Sequence, residues 1–381
     1  MRHTLNAFFV LVPFHFWTVV FFVFGTMVGS FLNVCIYRMP RGESVVRPPS
    51  HCPECQYSIP WYLNIPLITW LALRGRCANC RLPISPRYII VEFFTGLAFA
   101  GCWLALGPQD PLVAVVYCLV LAGFIAATFI DLEHLIIPDE ITIGGTVVGL
   151  LCSAAVPALH HASNPARGLE ASFWGMAAGA GIIYAIVRGG KLVFGRQKLK
   201  LDPGTKLIFT ETGIELPGET VPFEDLFYRK SDQIVCHGKT IELPDRCYFN
   251  ALVKLSPSKL SIGEETYNPE DVSRMEIVTD QIVIPREAMG LGDVKFMAAI
   301  GSFLGWPAVL FSLMASALIG SAFGITTILL RRKEWSSRIP YGPYIALAAV
   351  IWMFLPFTLQ VAWKNQILIF LLLISGRLPP M

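Results

Sequence analysis

The chain has 381 residues, 54% of them hydrophobic and only 15% charged, with a mean hydropathy of +0.57. That balance is beyond the range of ordinary soluble domains and points to a protein that crosses a membrane several times. A net charge of +3, with no basic run interleaved with aromatic residues, argues against nucleic-acid binding.

In chain order, Arg2 and His3 precede an apolar stretch from about Phe8 to Ile36. This is roughly twice the length of a secretory h-region, and no Ala-x-Ala site follows, so it reads as a retained first span. Apolar runs of membrane-crossing length fall near 17–37, 89–106, 111–130, 137–157, 171–187, 294–305, 307–330 and 344–362, a count of eight. The sixth is short and interrupted by Gly301 and Gly305, and the apolar tail from Gln366 to Ser375 reads as too short to span. The expected fold is mainly α, a polytopic membrane protein of about eight transmembrane helices.

Basic residues set the orientation. Arg38, Arg41, Arg47, Arg74, Arg76, Arg81 and Arg87 follow span 1; Arg188, Lys191, Arg196, Lys198 and Lys200 follow span 5; Arg331, Arg332 and Lys333 follow span 7. This alternation puts the N-terminus outside and the loops at 39–88 and 195–287 in the cytoplasm.

The loop at 39–88 holds Cys52-Pro-Glu-Cys55 and Cys77-Ala-Asn-Cys80, two Cys-x-x-Cys knuckles. A reducing compartment disfavours disulfides, and four thiolates supply the closed tetrahedral shell of a structural zinc ion. The competing readings are a redox dithiol and unmetallated thiols. A closed shell leaves no open coordination position, so the zinc is assigned to folding. Cys35, Cys102, Cys118 and Cys152 lie in apolar stretches and read as small buried hydrophobes.

The segment 195–287 breaks the hydrophobic pattern with short alternating runs at Lys206–Thr210, Gln233–Cys236, Lys259–Ile262 and Glu276–Ile284. Such runs between turn residues predict strands, hence a small β-rich cytosolic domain inserted between spans 5 and 6. Its Cys236-His237 pair has no second partner at ligand spacing and reads as structural. The predicted order is a first helix at 1–38, the cysteine loop at 39–88, spans 2–5 at 89–194, the insert at 195–287 and spans 6–8 at 288–381.

Two carboxylates stand where apolar segments meet water: Asp131, in the stretch from Phe129 to Asp139, and Asp293, in Met289-Gly-Leu-Gly-Asp-Val-Lys295. Each is costly near lipid unless solvated, paired or protonated, which makes it a functional candidate. Nearby carboxylates cannot both ionise comfortably, so one keeps a proton while the other acts as a base toward water. Gly290 and Gly292 permit a turn that brings Asp293 toward Asp131. The bland alternatives are a solvated helix-end charge for Asp131 and an N-cap for Asp293. Asp139, after Pro138, reads as the N-cap of span 4. Asn33 reads as an interhelical hydrogen-bonding residue, with substrate contact as the alternative. Glu92 and Lys295 are candidates to pair with other buried charges, and Glu133, Asp139 and Glu140 make one face acidic.

Four ordered blocks carry a resemblance. They are Gly29-Ser-Phe-Leu-Asn-Val-Cys-Ile-Tyr-Arg-Met-Pro40, the cysteine quartet with flanks Ile59–Pro66, Trp70–Cys77 and Ile84–Tyr88, Asp131 through Asp139, and Gly290-Leu-Gly-Asp-Val-Lys295. Together they closely resemble the prepilin peptidases, the type 4 leader peptidases, over roughly residues 17–194 and 284–350. The resemblance implies an aspartic endopeptidase of the bacterial inner membrane, with Asp131 and Asp293 as its catalytic pair. It would remove a basic leader from pilins or type II secretion pseudopilins at the cytoplasmic face. In many members the new N-terminus is then methylated with S-adenosylmethionine. No glycine-rich signature of soluble methyltransferases is present, so the methyl donor rests on the resemblance alone and its binding residues are unassigned. The 90-residue insert departs from the family's compact pattern. The competing class is a membrane ion or solute transport or binding protein that uses its carboxylates as a path.

Overall fold

The computed structural model describes residues 14–194, 196–210, 212–216, 219–227, 232–285, 290–330 and 340–374. Arg2, His3, the Arg331-Arg332-Lys333 cluster, Met289 and the last residue of the apolar tail, Ser375, lie outside them. The described residues divide into two compact units, one up to Ile183 and from Leu291 onward, the other from Tyr184 to Gly290.

The first unit is helical. In chain order it contains α1 (Phe14–Arg38), the short α2 (Ile68–Ala72), α3 (Arg87–Leu106), α4 (Pro111–His134), α5 (Asp139–Ala155), α6 (Pro165–Phe194, continuing into the second unit), α8 (Leu291–Leu304), α9 (Trp306–Leu329), α10 (Gly342–Phe354) and α11 (Phe357–Ile374). Six are long and apolar enough to cross a membrane: α1, α3, α4, α6, α9 and α11. The expected eight spans are therefore not reproduced, for two physical reasons. Two of the expected spans, α5 and α8, form helices of only 17 and 14 residues. The run expected at 344–362 is broken at Pro356, which has no N–H to continue a helix and holds Leu355 extended at ψ 135°. Gln360 Nε2 donates 3.0 Å bonds to the Leu355 carbonyl and to the Trp352 carbonyl, which also accepts the Leu355 N–H. The apolar tail from Gln366 is the second half of an 18-residue helix that begins at Phe357, so it belongs to an element long enough to span, contrary to its reading as too short.

Helix α1 packs chiefly on α3, α5 on α8, and α10 on α9 and α4. Helix α8 is buried from Val294 to Leu304, apart from Lys295. It is gripped closely: a Cβ on Gly301 would fall 2.0 Å from the Gly175 carbonyl oxygen of α6, so this crossing requires glycine. The Ser302 carbonyl, in the last turn of α8, accepts from Ser172 Oγ at 2.6 Å and Ser153 Oγ at 3.1 Å. Hydroxyls from α6 and α5 thus satisfy a carbonyl that the helix end leaves without an intrahelical donor.

The second unit is built on an eight-stranded antiparallel sheet in the order β3-β2-β1-β8-β4-β5-β6-β7. Its strands are β1 (Arg196–Thr210), β2 (Gly213–Leu216), β3 (Glu219–Pro222), β4 (Ile234–Glu242), β5 (Cys247–Ser256), β6 (Lys259–Ile262), β7 (Glu265–Tyr267) and β8 (Arg274–Pro285), with the single turn α7 (Phe223–Leu226) after β3. The alternating runs read from the sequence coincide with β1, β4, β6 and β8. Leu207, Phe209, Ile241, Val253, Leu260 and Ile277 form its core, and Cys236 is buried among them.

Candidate active site and metal centre

Asp131 lies in the last turn of α4, which Leu135 closes in a left-handed conformation (φ 56°) while donating its N–H to the Asp131 carbonyl. The Asp131 side chain is 5% exposed, and its Oδ2 accepts the Gly342 N–H at 2.8 Å. Gly342 is the first residue of α10, whose first N–H groups have no intrahelical acceptor, so a carboxylate there meets both a free donor and the positive end of the helix dipole. A Cβ on Gly342 would sit 2.8 Å from Asp131 Oδ2 and 3.2 Å from Ile137 Cδ1. Only glycine fits.

Asp293 is the third residue of α8 and is 9% exposed, inside the first turn rather than at its cap. A Cβ on the adjacent Gly292 would lie 3.7 Å from Ile137 Cβ. Ile137 therefore separates the backbone beside Asp293 from the backbone that binds Asp131. The Tyr341 hydroxyl, one residue before Gly342, lies 2.9 Å from Ser316 Oγ. Asp131 is thus held at the Tyr341-Gly342 step at the start of α10, with Ile137 packed between that step and the backbone beside Asp293. Sequence reading missed that step. Its signal is Pro340-Tyr-Gly-Pro-Tyr344, a proline just inside a helix start after a glycine.

The other candidates fall around this centre. Asp139 does not cap α5: Pro138 occupies the cap position, and Asp139 pairs with Lys295 Nζ at 2.6 Å. Both groups are too exposed for a buried pair. Glu133 accepts from Arg87 Nη1 at 2.6 Å, joining the ends of α4 and α3. Glu92 is buried but takes no charged partner; its Oε2 accepts the Leu67 N–H at 2.8 Å. Asn33 donates to the Tyr88 carbonyl of α3 at 3.0 Å, an interhelical role.

The cysteine loop repeats one turn twice. Cys52 N–H donates to the Tyr57 carbonyl and Gln56 N–H to the Cys52 carbonyl; Cys77 and Leu82, and Arg81 and Cys77, pair in the same way. Gln56 (φ 56°) and Arg81 (φ 61°) each adopt the left-handed conformation that closes the knuckle, and His51 bridges Ser58 as Arg76 bridges Pro83. The two turns bring all four Sγ atoms within 4.8 Å of one another, with Cys52–Cys80 and Cys55–Cys77 each 3.9 Å apart. Zinc–thiolate bonds of about 2.3 Å in a tetrahedron require S···S separations of about 3.8 Å. The residues fit the metal. The Tyr57 N–H brings the Cys55 thiol from 9.0 down to about 6, and the N–H groups of Cys80 and Asn79 lower that of Cys77. At Cys80 the lowering by the Leu82 N–H is outweighed by burial and by the neighbouring sulfurs, which push it up to about 12, as expected when several thiolates crowd together. Among the described residues this is the one cluster of metal-ligating side chains.

Residues 23–106 match the family model of the bacterial peptidase A24 N-terminal domain, and residues 118–201 and 272–325 match that of the type IV leader peptidase family. The prepilin leader peptidase/N-methyltransferase of Aeromonas hydrophila is 29% identical over 359 residues, 87% of this chain and 89% of that protein. The enzyme of the same description from Myxococcus xanthus is 47% identical over 129 residues, 34% of this chain and 38% of its own. That from Dichelobacter nodosus is 34% identical over 208 residues, 47% of this chain and 69% of its own. No solved structure matches. Both family models and relatives aligned across most of their length agree: the chain belongs to the type IV leader peptidase family.

Proposed function

We propose that Asp131 and Asp293 are the acid/base pair with which this membrane enzyme, a prepilin leader peptidase and N-methyltransferase by its family, cleaves the leader peptide. The observation that carries this reading is that two carboxylates, each less than a tenth exposed, stand on backbone packed against one residue, Ile137: Asp131 on the Gly342 N–H and Asp293 beside Gly292. One carboxylate, unprotonated, removes a proton from water as the water attacks the scissile carbonyl. The other, protonated, donates to that carbonyl oxygen, and a proton then passes to the leaving amine. The Gly342 N–H orients Asp131 throughout.

The substrates are prepilins or pseudopilins, and the enzyme resides in the bacterial inner membrane with its site facing the cytoplasm, where the basic loops lie. Zinc held by Cys52, Cys55, Cys77 and Cys80 organises the loop and takes no part in hydrolysis. S-adenosylmethionine is the methyl donor implied by the family. The cavity of about 310 Å³ between α1 and the cysteine loop does not fit it. No lining residue there is a carboxylate, and its one charged group, Arg38, is engaged by the Ser44 and Pro49 carbonyls. No methyl-transfer step is therefore routed through it.

The test is mass measurement of a prepilin-like peptide incubated with the purified variants. Asp131→Asn and Asp293→Asn each abolish leader removal while the protein still inserts, and the double variant is no worse than either alone. Asp139→Asn retains substantial activity. Cleavage by either of the first two variants refutes the pair.

A further inference from the structure

The cysteine loop carries an apolar surface that the chain itself leaves uncovered. Between the two knuckles, Trp61 is 82% exposed, Ile68 65% and Leu71 61%, with Tyr62 and Ile65 also exposed. Ile65, Ile68 and Leu71 follow one another at three-residue spacing, and the last two share one face of α2. The opposite side, Thr69 and Trp70, is half-buried against the loop. So the short helix turns Ile68 and Leu71 outward while Trp70 packs inward.

Two observations identify what covers it. The first is depth. The Leu67 N–H is tied at 2.8 Å to Glu92, the sixth residue of the membrane-crossing helix α3. At 1.5 Å rise per residue, Glu92 lies about 7.5 Å along that helix from Arg87. Residues flanking Leu67 are thereby held at the level of the headgroups and the outermost acyl carbons, the depth at which interfacial helices lie. The second is charge. Arg41, Arg47, Arg74, Arg76 and Arg81 are all exposed on the same loop, against only two carboxylates, Glu43 and Glu54. Basic residues around an apolar, Trp- and Tyr-bearing face complement an anionic membrane surface.

We propose that residues 61–71 form a foot that inserts into the bilayer surface, with Trp61, Tyr62, Ile65, Ile68 and Leu71 among the lipids and the loop arginines on anionic headgroups. The metal-held module then rests on the membrane rather than standing free above it. Glu92 is the tether that sets its depth. None of this requires catalysis, so its failure and that of the aspartate pair are separable.

The full chain, labelled with 5-fluorotryptophan and reconstituted in phosphatidylglycerol-containing nanodiscs, tests the proposal, with Trp61→Phe assigning the Trp61 fluorine signal. That signal is expected to broaden with lipid doxyl-labelled at carbon 5 and to resist a water-soluble gadolinium chelate several-fold better than a water-exposed tryptophan does. The double variant Ile68→Asp, Leu71→Asp should reverse this pattern while retaining bound zinc, which reports that the loop is still folded. A Trp61 signal broadened by the chelate and not by the lipid overturns the proposal. So does one insensitive to both, which would place a protein surface there instead.

Discussion

The Gly342 N–H points at Asp131 Oδ2 from 2.8 Å, across 211 residues of sequence. A Cβ at Gly342 would occupy the same 2.8 Å position beside the carboxylate oxygen. Gly342→Ala must displace Asp131 or the start of α10. A misplacement of about 1 Å near reacting groups costs on the order of 100-fold in rate. The variant should lose at least that much in kcat for leader removal, read by quantitative mass spectrometry, while still inserting and binding zinc.

Zinc should be present at about one per chain. Cys52→Ser or Cys77→Ser, the two buried ligands, should release it. The loop at 39–86 should then become the first site of limited proteolysis. Metal analysis that finds no zinc in the unaltered protein would sink this assignment.

The Ser302 carbonyl draws donors from Ser153 and Ser172, on two different helices. Interhelical hydrogen bonds of this kind contribute about 0.6 kcal/mol on average. Ser153→Ala and Ser172→Ala should each lower thermal stability slightly, and the double variant by more than their sum, because the carbonyl then loses both hydroxyls at once. Additive losses in a melting experiment would contradict a shared acceptor.

The Asp139–Lys295 pair is solvent-exposed on both sides. Exposed pairs contribute about 0–1 kcal/mol and weaken with salt. Asp139→Asn should therefore shift the melting temperature little, and less still in high salt.

What the sequence disclosed followed from chemistry that is local in the chain. A Cys-x-x-Cys knuckle is a turn with two ligands on it, so the quartet was legible from spacing. An aspartate in an apolar run is anomalous wherever the run folds, so Asp131 and Asp293 stood out. Gly342 was illegible because its role exists only once α10 meets α4. Asp139 was misread because a residue after proline at a helix start resembles a cap, whereas its partner lies on α8. Hydropathy failed at Pro356 because window averages register apolarity and ignore a missing N–H.

The lengths of the helices at the site carry a consequence for its two carboxylates. Helix α9, with 24 residues, is about 36 Å long and crosses a hydrocarbon layer of about 30 Å with length to spare. Helix α8, joined to it through Gly305, has only 14 residues and is about 21 Å long, shorter than that layer. Asp293 therefore stands in the first turn of a helix too short for a full crossing, while Asp131 stands in the last turn of a 24-residue helix long enough for one.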